Sequence, residues 1–88
     1  MNFNETITRI AEGAHIYFYE EETFDSIDEA IAAAAQDLIN EMTPAAENAW
    51  DSDNTEEFYD ARDACDIARL VITDHAARTR VFDLMINN

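Results

Sequence analysis

Eighty-eight residues make one small domain, 1–88, and a chain of this size buries only about 60–65% of the surface its unfolded form exposes. The composition is 48% apolar, which argues against a wholly disordered acidic tail. Twenty acids against five arginines, with no lysine and a net charge of −15, argue against direct binding to DNA, RNA or an anionic membrane, because holding phosphates takes cations that displace counterions.

Along the chain, Phe3, Ile7, Ile10, Ala14 and Tyr17 recur at spacings of four and three, one face of a helix with Asn4 as its expected N-cap. Gly13 weakens that helix. HIYFY at 15–19 carries enough β-branched and aromatic side chains for a short strand, but a lone strand has no partner here and helix is preferred. Ser26 followed by Glu29 is a capping-box pattern, and Ile27, Ile31, Ala34, Leu38 and Met42 then form an apolar stripe widened by Ala35 and Ile39. Thr43-Pro44 predicts a stop, with Pro44 opening a second, short helix through Trp50. After a loop at 51–54, a helix beginning near Thr55 carries the seam Phe58, Ala61, Cys65, Ala68 and Ile72. Thr73 or Asp74 either caps a last helix or lies within one that runs on. With one Gly and one Pro as breakers, the expected fold is all-α, a small bundle of about four helices.

Chemistry-bearing motifs are sparse. Asp51, Asp53 and Thr55 match the first positions of an EF-hand-like calcium loop, but Glu56 and Arg62 stand where it needs Gly and a bidentate Glu. His15 and His75 have no second ligand at zinc spacing, and Cys65 lies on the apolar seam as a buried thiol. No phosphate loop or nucleophile elbow occurs, so neither enzymatic activity nor a cofactor or metal is expected. Asp25-Ser26-Ile27 resembles the Asp-Ser-Leu attachment motif of carrier proteins over three residues; capping by Ser26 accounts for the same residues. The single cysteine forms no internal disulfide, the start MNFNETITRI lacks the pattern of a signal peptide, and no apolar run reaches the ~18–20 residues of a membrane span. A cytoplasmic location is expected, in the host cell if the protein is phage-encoded.

The acids are unevenly placed. Residues 10–61 contain fifteen of them and no Lys or Arg, whereas residues 61–88 balance four acids with four arginines. Adaptation to high salt would spread acids over the whole chain. Two rows emerge: Glu20, Glu21, Glu22, Asp25, Asp28 and Glu29 in the first, and Asp51, Asp53, Glu56, Glu57, Asp60 and Asp63 with Tyr59 in the second. Glu56, Asp60 and Asp63 fall on one helix face, and four residues of helix rise ~6 Å, close to the ~6.8 Å of two nucleotide steps. These thirteen residues are the candidate contacts for a basic partner. Tyr19 and Trp50 flank the rows, Trp50 being expected to plug the core.

In size and charge the chain resembles small acidic phage proteins that inhibit CRISPR or restriction machinery. NAW at 48–50, an acidic run, and EEFYD at 56–60 are similar to the C-terminal part of a type II-A anti-CRISPR, over about thirteen residues. That family fills the PAM-reading site of a CRISPR nuclease with carboxylates and carries a β-sheet. The resemblance implies that Glu56, Glu57 and Asp60 touch a basic site. The leading expectation is therefore a non-enzymatic inhibitor that mimics nucleic acid in the basic groove of a CRISPR effector or restriction enzyme. The alternative is an acidic helical interaction module, an antitoxin or assembly partner using its apolar seams. Self-association as a homodimer stays open.

Overall fold

The computed structural model describes residues 1–87: helices α1 (Phe3–His15), α2 (Ile27–Asp51), α3 (Thr55–Thr73) and α4 (His75–Asn87), with a π-helical turn over Ile16–Glu20 extending α1. No strand occurs among the described residues. HIYFY is helical, with its backbone carbonyls served locally: Ile16 O accepts from Glu21 N–H at 2.8 Å and Tyr17 O from Thr23 N–H at 2.9 Å. Tyr17 and Phe18 are thereby left half-buried against the core.

The inward faces of α1 and α2 are those the periodicity marks; in α3 the buried position beyond Ala68 is Val71 rather than Ile72, and the inward face of α4, Val81 and Met85, was not marked. Ile7, Ile10 and Ala14 of α1 meet Ile31, Ala35 and Leu38 of α2, Ala68 and Val71 of α3, and Val81 and Met85 of α4 in one buried cluster. At the α1–α2 crossing a Cβ on Gly13 would lie 3.3 Å from the Ala34 Cβ, so the glycine permits the close approach of the two helices. Cys65 is buried, as its place on the seam suggests.

Two boundaries differ from expectation. Asn2, not Asn4, caps α1: its side chain accepts from Glu5 N–H at 2.8 Å and its amide donates to the Glu5 carboxylate at 2.7 Å, whereas Asn4 has Ile7 at that offset. Pro44 does not end a helix; it sits inside α2, which runs unbroken for 25 residues. Proline removes an amide and crowds the preceding turn at a cost of about 3 kcal/mol. The good helix formers Ala45, Ala46 and Glu47 follow it, and Ala49 is buried against α3, so tertiary packing outweighs the local penalty. Thr43 Oγ1 meanwhile donates to Ile39 O at 2.7 Å, one turn back.

An unbroken α2 spans ~37 Å at about 1.5 Å per residue, nearly the 41 Å length of the molecule. Its second half and the first half of α3 form a hairpin beyond the main core, held by the small buried residues Ala49, Ala61, Ala64 and Cys65. The hairpin turn is a Schellman motif. Asp53 N–H reaches Trp50 O at 3.2 Å, Asn54 N–H reaches Ala49 O at 2.8 Å, and Asp53 takes the left-handed conformation at φ 56°. Asn54 then caps α3 by accepting from Glu57 N–H at 3.3 Å. The stretch with calcium-loop spacing is thus a helix-to-helix turn. At the other end, Asp74 separates α3 from α4 by accepting from Ala77 N–H at 3.2 Å, and Arg78 closes α3 with a bond to Ile72 O at 2.8 Å.

Candidate partner-binding surface

All thirteen candidate residues are exposed. They form two separate groups. Glu20, Glu21, Glu22 and Asp25 sit at the end of the π-helical turn and in the loop after it, and Asp28 and Glu29 occupy the first turn of α2. Asp51, Asp53, Glu56, Glu57, Tyr59, Asp60 and Asp63 surround the hairpin tip. Twenty-two steps of continuous helix lead from Glu29 to Asp51, roughly 33 Å of rise, so the two rows lie at opposite ends of the molecule.

Between them α2 carries three more exposed acids, Asp37, Glu41 and Glu47, which sequence reasoning passed over. Asp37 and Glu41 flank the apolar stripe on the side of α1, and both are committed within the chain. Tyr17 O–H donates to the Asp37 carboxylate, a bond that with nearby negative charge raises the Tyr17 pKa above its ordinary value of 10.0. Arg9 Nη2 lies 2.6 Å from the Glu41 carboxylate. The ends are freer. Asp60 lies 3.4 Å from the Met1 amine, and Asp66 draws both Arg62, at 4.0 Å, and Arg69, at 3.4 Å. Among the described residues, Asp51, Asp53, Glu56, Glu57 and Asp63 form no ion pair, nor do the six acids of the other row.

What sets the hairpin tip apart is its aromatic side chains. Trp50 is not a core plug: it is 67% exposed. The core ends before the tip, and the inward position on α2 belongs to Ala49, from which Trp50 is turned by about 100°. Phe58, half-buried, lies between Trp50 and Tyr59 with ring centroids 5.1 and 5.4 Å away, and Tyr59 is 51% exposed. A shallow cavity of about 320 Å³ opens among Ala49, Trp50, Asp53, Thr55, Phe58 and Tyr59. Trp50 and Phe58 also border a groove of about 430 Å³, which Arg62, Cys65 and Arg69 line on the α3 side.

This arrangement offers electrostatic and apolar contact. Glu56, Asp60 and Asp63 follow one edge of α3, Tyr59 borders that edge, and Phe58 and Trp50 lie on the other side of Tyr59. Cys65 Sγ is buried 3.8 Å from Thr43 Oγ1. Among the described residues no group of three His, Cys, Asp or Glu side chains is placed to hold a metal ion. Among the described residues no helix is long and apolar enough to cross a membrane. No protein-family model matches the sequence, no curated protein matches it, and no solved structure matches its fold.

Proposed function

We propose that this protein is a non-enzymatic inhibitor whose hairpin tip presents carboxylates to the basic groove of a nucleic-acid-binding protein, a CRISPR effector or a restriction enzyme. The observation that carries the reading is the set of exposed acids Asp51, Asp53, Glu56 and Glu57, unpaired among the described residues, at one end of a fifty-two-residue stretch without Lys or Arg, with Asp63 just beyond it. An anionic face on a small domain repels itself, and a cationic partner relieves that repulsion. The rise of ~6 Å from Glu56 to Asp60 approximates two phosphate steps. The resemblance at residues 48–60 falls on this same tip, and it concerns local residue types rather than a shared β-sheet.

Competition tests the proposal. Binding to a basic partner weakens steeply between about 50 and 200 mM salt and is relieved by excess duplex DNA, as charge-driven contact with a phosphate-binding groove requires. Affinity indifferent to both removes the mimicry reading. The alternative, an interaction module using apolar seams, draws on a smaller surface, since Ile7, Ile31, Ala68 and their neighbours are buried in the chain's own core. What supports it is the exposed fringe of Ile16, Leu70 and Ile86, with 44%, 43% and 54% exposure. Binding through that fringe tolerates salt and DNA alike.

A further inference from the structure

A row of three aromatic rings, Trp50 and Tyr59 each against Phe58, is unusual at the tip of a hairpin on so acidic a molecule. Single exposed apolar residues need no explanation. Here Trp50, Phe58 and Tyr59 form a contiguous patch around a cavity of about 320 Å³ that also includes Asp53 in its lining. Nothing in the described chain fills it. Arg62 and Arg69 are drawn to Asp66 and border the neighbouring groove instead, and the Met1 amine sits at Asp60.

The charge around the cavity selects its occupant. Asp51, Asp53, Glu56 and Glu57 are exposed and unpaired among the described residues. Asp53 alone of these lines the cavity, and an apolar or anionic group entering would strip water from its carboxylate without replacing it. A cation would gain twice, from the carboxylates and from the π-faces of the rings, which attract positive charge. The chain makes one such pairing internally, with the Arg80 guanidinium 5.4 Å from the centroid of Phe3. A planar guanidinium stacks on rings and takes carboxylate hydrogen bonds at its edge, a combination an ammonium lacks.

We infer that the tip cavity formed by Trp50, Phe58 and Tyr59 holds an arginine side chain of the partner protein, with Asp53 receiving the guanidinium. The inference rests on the reading of the tip as the face that meets a basic partner, and adds the anchor that a bare row of carboxylates lacks. Specificity then comes from the cage, and the acids set the rate and the salt dependence of encounter.

Trp50 is the sole tryptophan, so its emission reports on the cavity directly. The full chain is titrated at low salt with a hexa-arginine peptide, with hexa-lysine and with a glutamine peptide of the same length. Binding is read by Trp50 fluorescence and independently by calorimetry. The expected result is a saturable change in Trp50 emission with hexa-arginine, a weaker one with hexa-lysine and none with the glutamine peptide. Trp50→Leu and Tyr59→Ala each lower the calorimetric affinity for hexa-arginine about tenfold while retaining helicity. Equal affinity of both variants and the parent, or hexa-arginine binding that leaves Trp50 emission unchanged, overturns the cage. If Glu56→Lys/Glu57→Lys/Asp60→Lys still abolishes that binding, the acidic face survives and only the cage is lost. No calorimetric binding of hexa-arginine at low salt overturns both.

Discussion

Trp50 and Phe58 face each other across the α2–α3 turn with ring centroids 5.1 Å apart and an angle of 53° between their planes. Trp50 is mostly solvated, whereas Phe58 lies between two rings and against the hairpin. The pair therefore predicts unequal costs. Phe58→Ala destabilises the fold by about 1–2 kcal/mol, and Trp50→Ala by less than about 1 kcal/mol. Urea unfolding followed by circular dichroism measures both. A larger loss at Trp50 would mean that it packs inward after all.

Asp53 holds the left-handed conformation that closes the Schellman turn. Glycine occupies that region without the Cβ clash, so Asp53→Gly stabilises the hairpin by about 0.5–1 kcal/mol. Thermal unfolding in about 0.5 M salt, where charge removal is screened, isolates the conformational effect. A lowered melting temperature would place Asp53 outside this conformation.

Pro44 lies inside α2 and lacks the amide that the helix would use. Pro44→Ala should raise stability by about 1–3 kcal/mol, read by chemical denaturation. No gain would indicate that the helix breaks at Thr43, as the sequence alone suggests.

The Pro44 boundary and the division of the acids are one question. Periodicity made the inward faces legible: Ile7, Ile31, Ala68 and their partners are buried where spacings of three and four put them. The Asn2–Glu5 cap was also visible, as an Asn three residues before a Glu, and was passed over for the neighbouring Asn4. Pro44 was not legible, because its local penalty is offset by Ala49 packing on α3, a contact between segments distant in sequence. With a break at Pro44 the two acidic rows could have folded together; with none they are held apart by α2. Trp50 shares the cause, since a local pattern shows which way a residue points but not where the core ends. The exposure of the acids, by contrast, was readable from composition and spacing alone.

Tyr17 gives the pH dependence. Its hydroxyl donates to Asp37, and that bond, with the surrounding negative charge, raises its pKa above 10.0. The folded state thus holds this proton more tightly than the unfolded chain does. The contribution to stability is complete below about pH 10, the unfolded value, and is lost as pH rises through the higher folded value. In an absorbance titration of the three tyrosines at about 295 nm, Tyr17→Phe removes the component that ionises at highest pH, and Asp37→Asn moves that component down. A highest-pH component unchanged in Tyr17→Phe would break the Tyr17–Asp37 assignment.

The proposed docking of the hairpin-tip carboxylates in a groove built for nucleic acid is tested by DNA cleavage by a panel of purified CRISPR nucleases and restriction enzymes, each with increasing amounts of this protein or of Glu56→Lys/Glu57→Lys/Asp60→Lys. The expected result is inhibition of at least one enzyme, weakened by excess DNA and by salt, and its loss by at least about a hundredfold in the triple variant with helicity retained. Inhibition by the variant equal to that by the parent, or none across the panel, would contradict it.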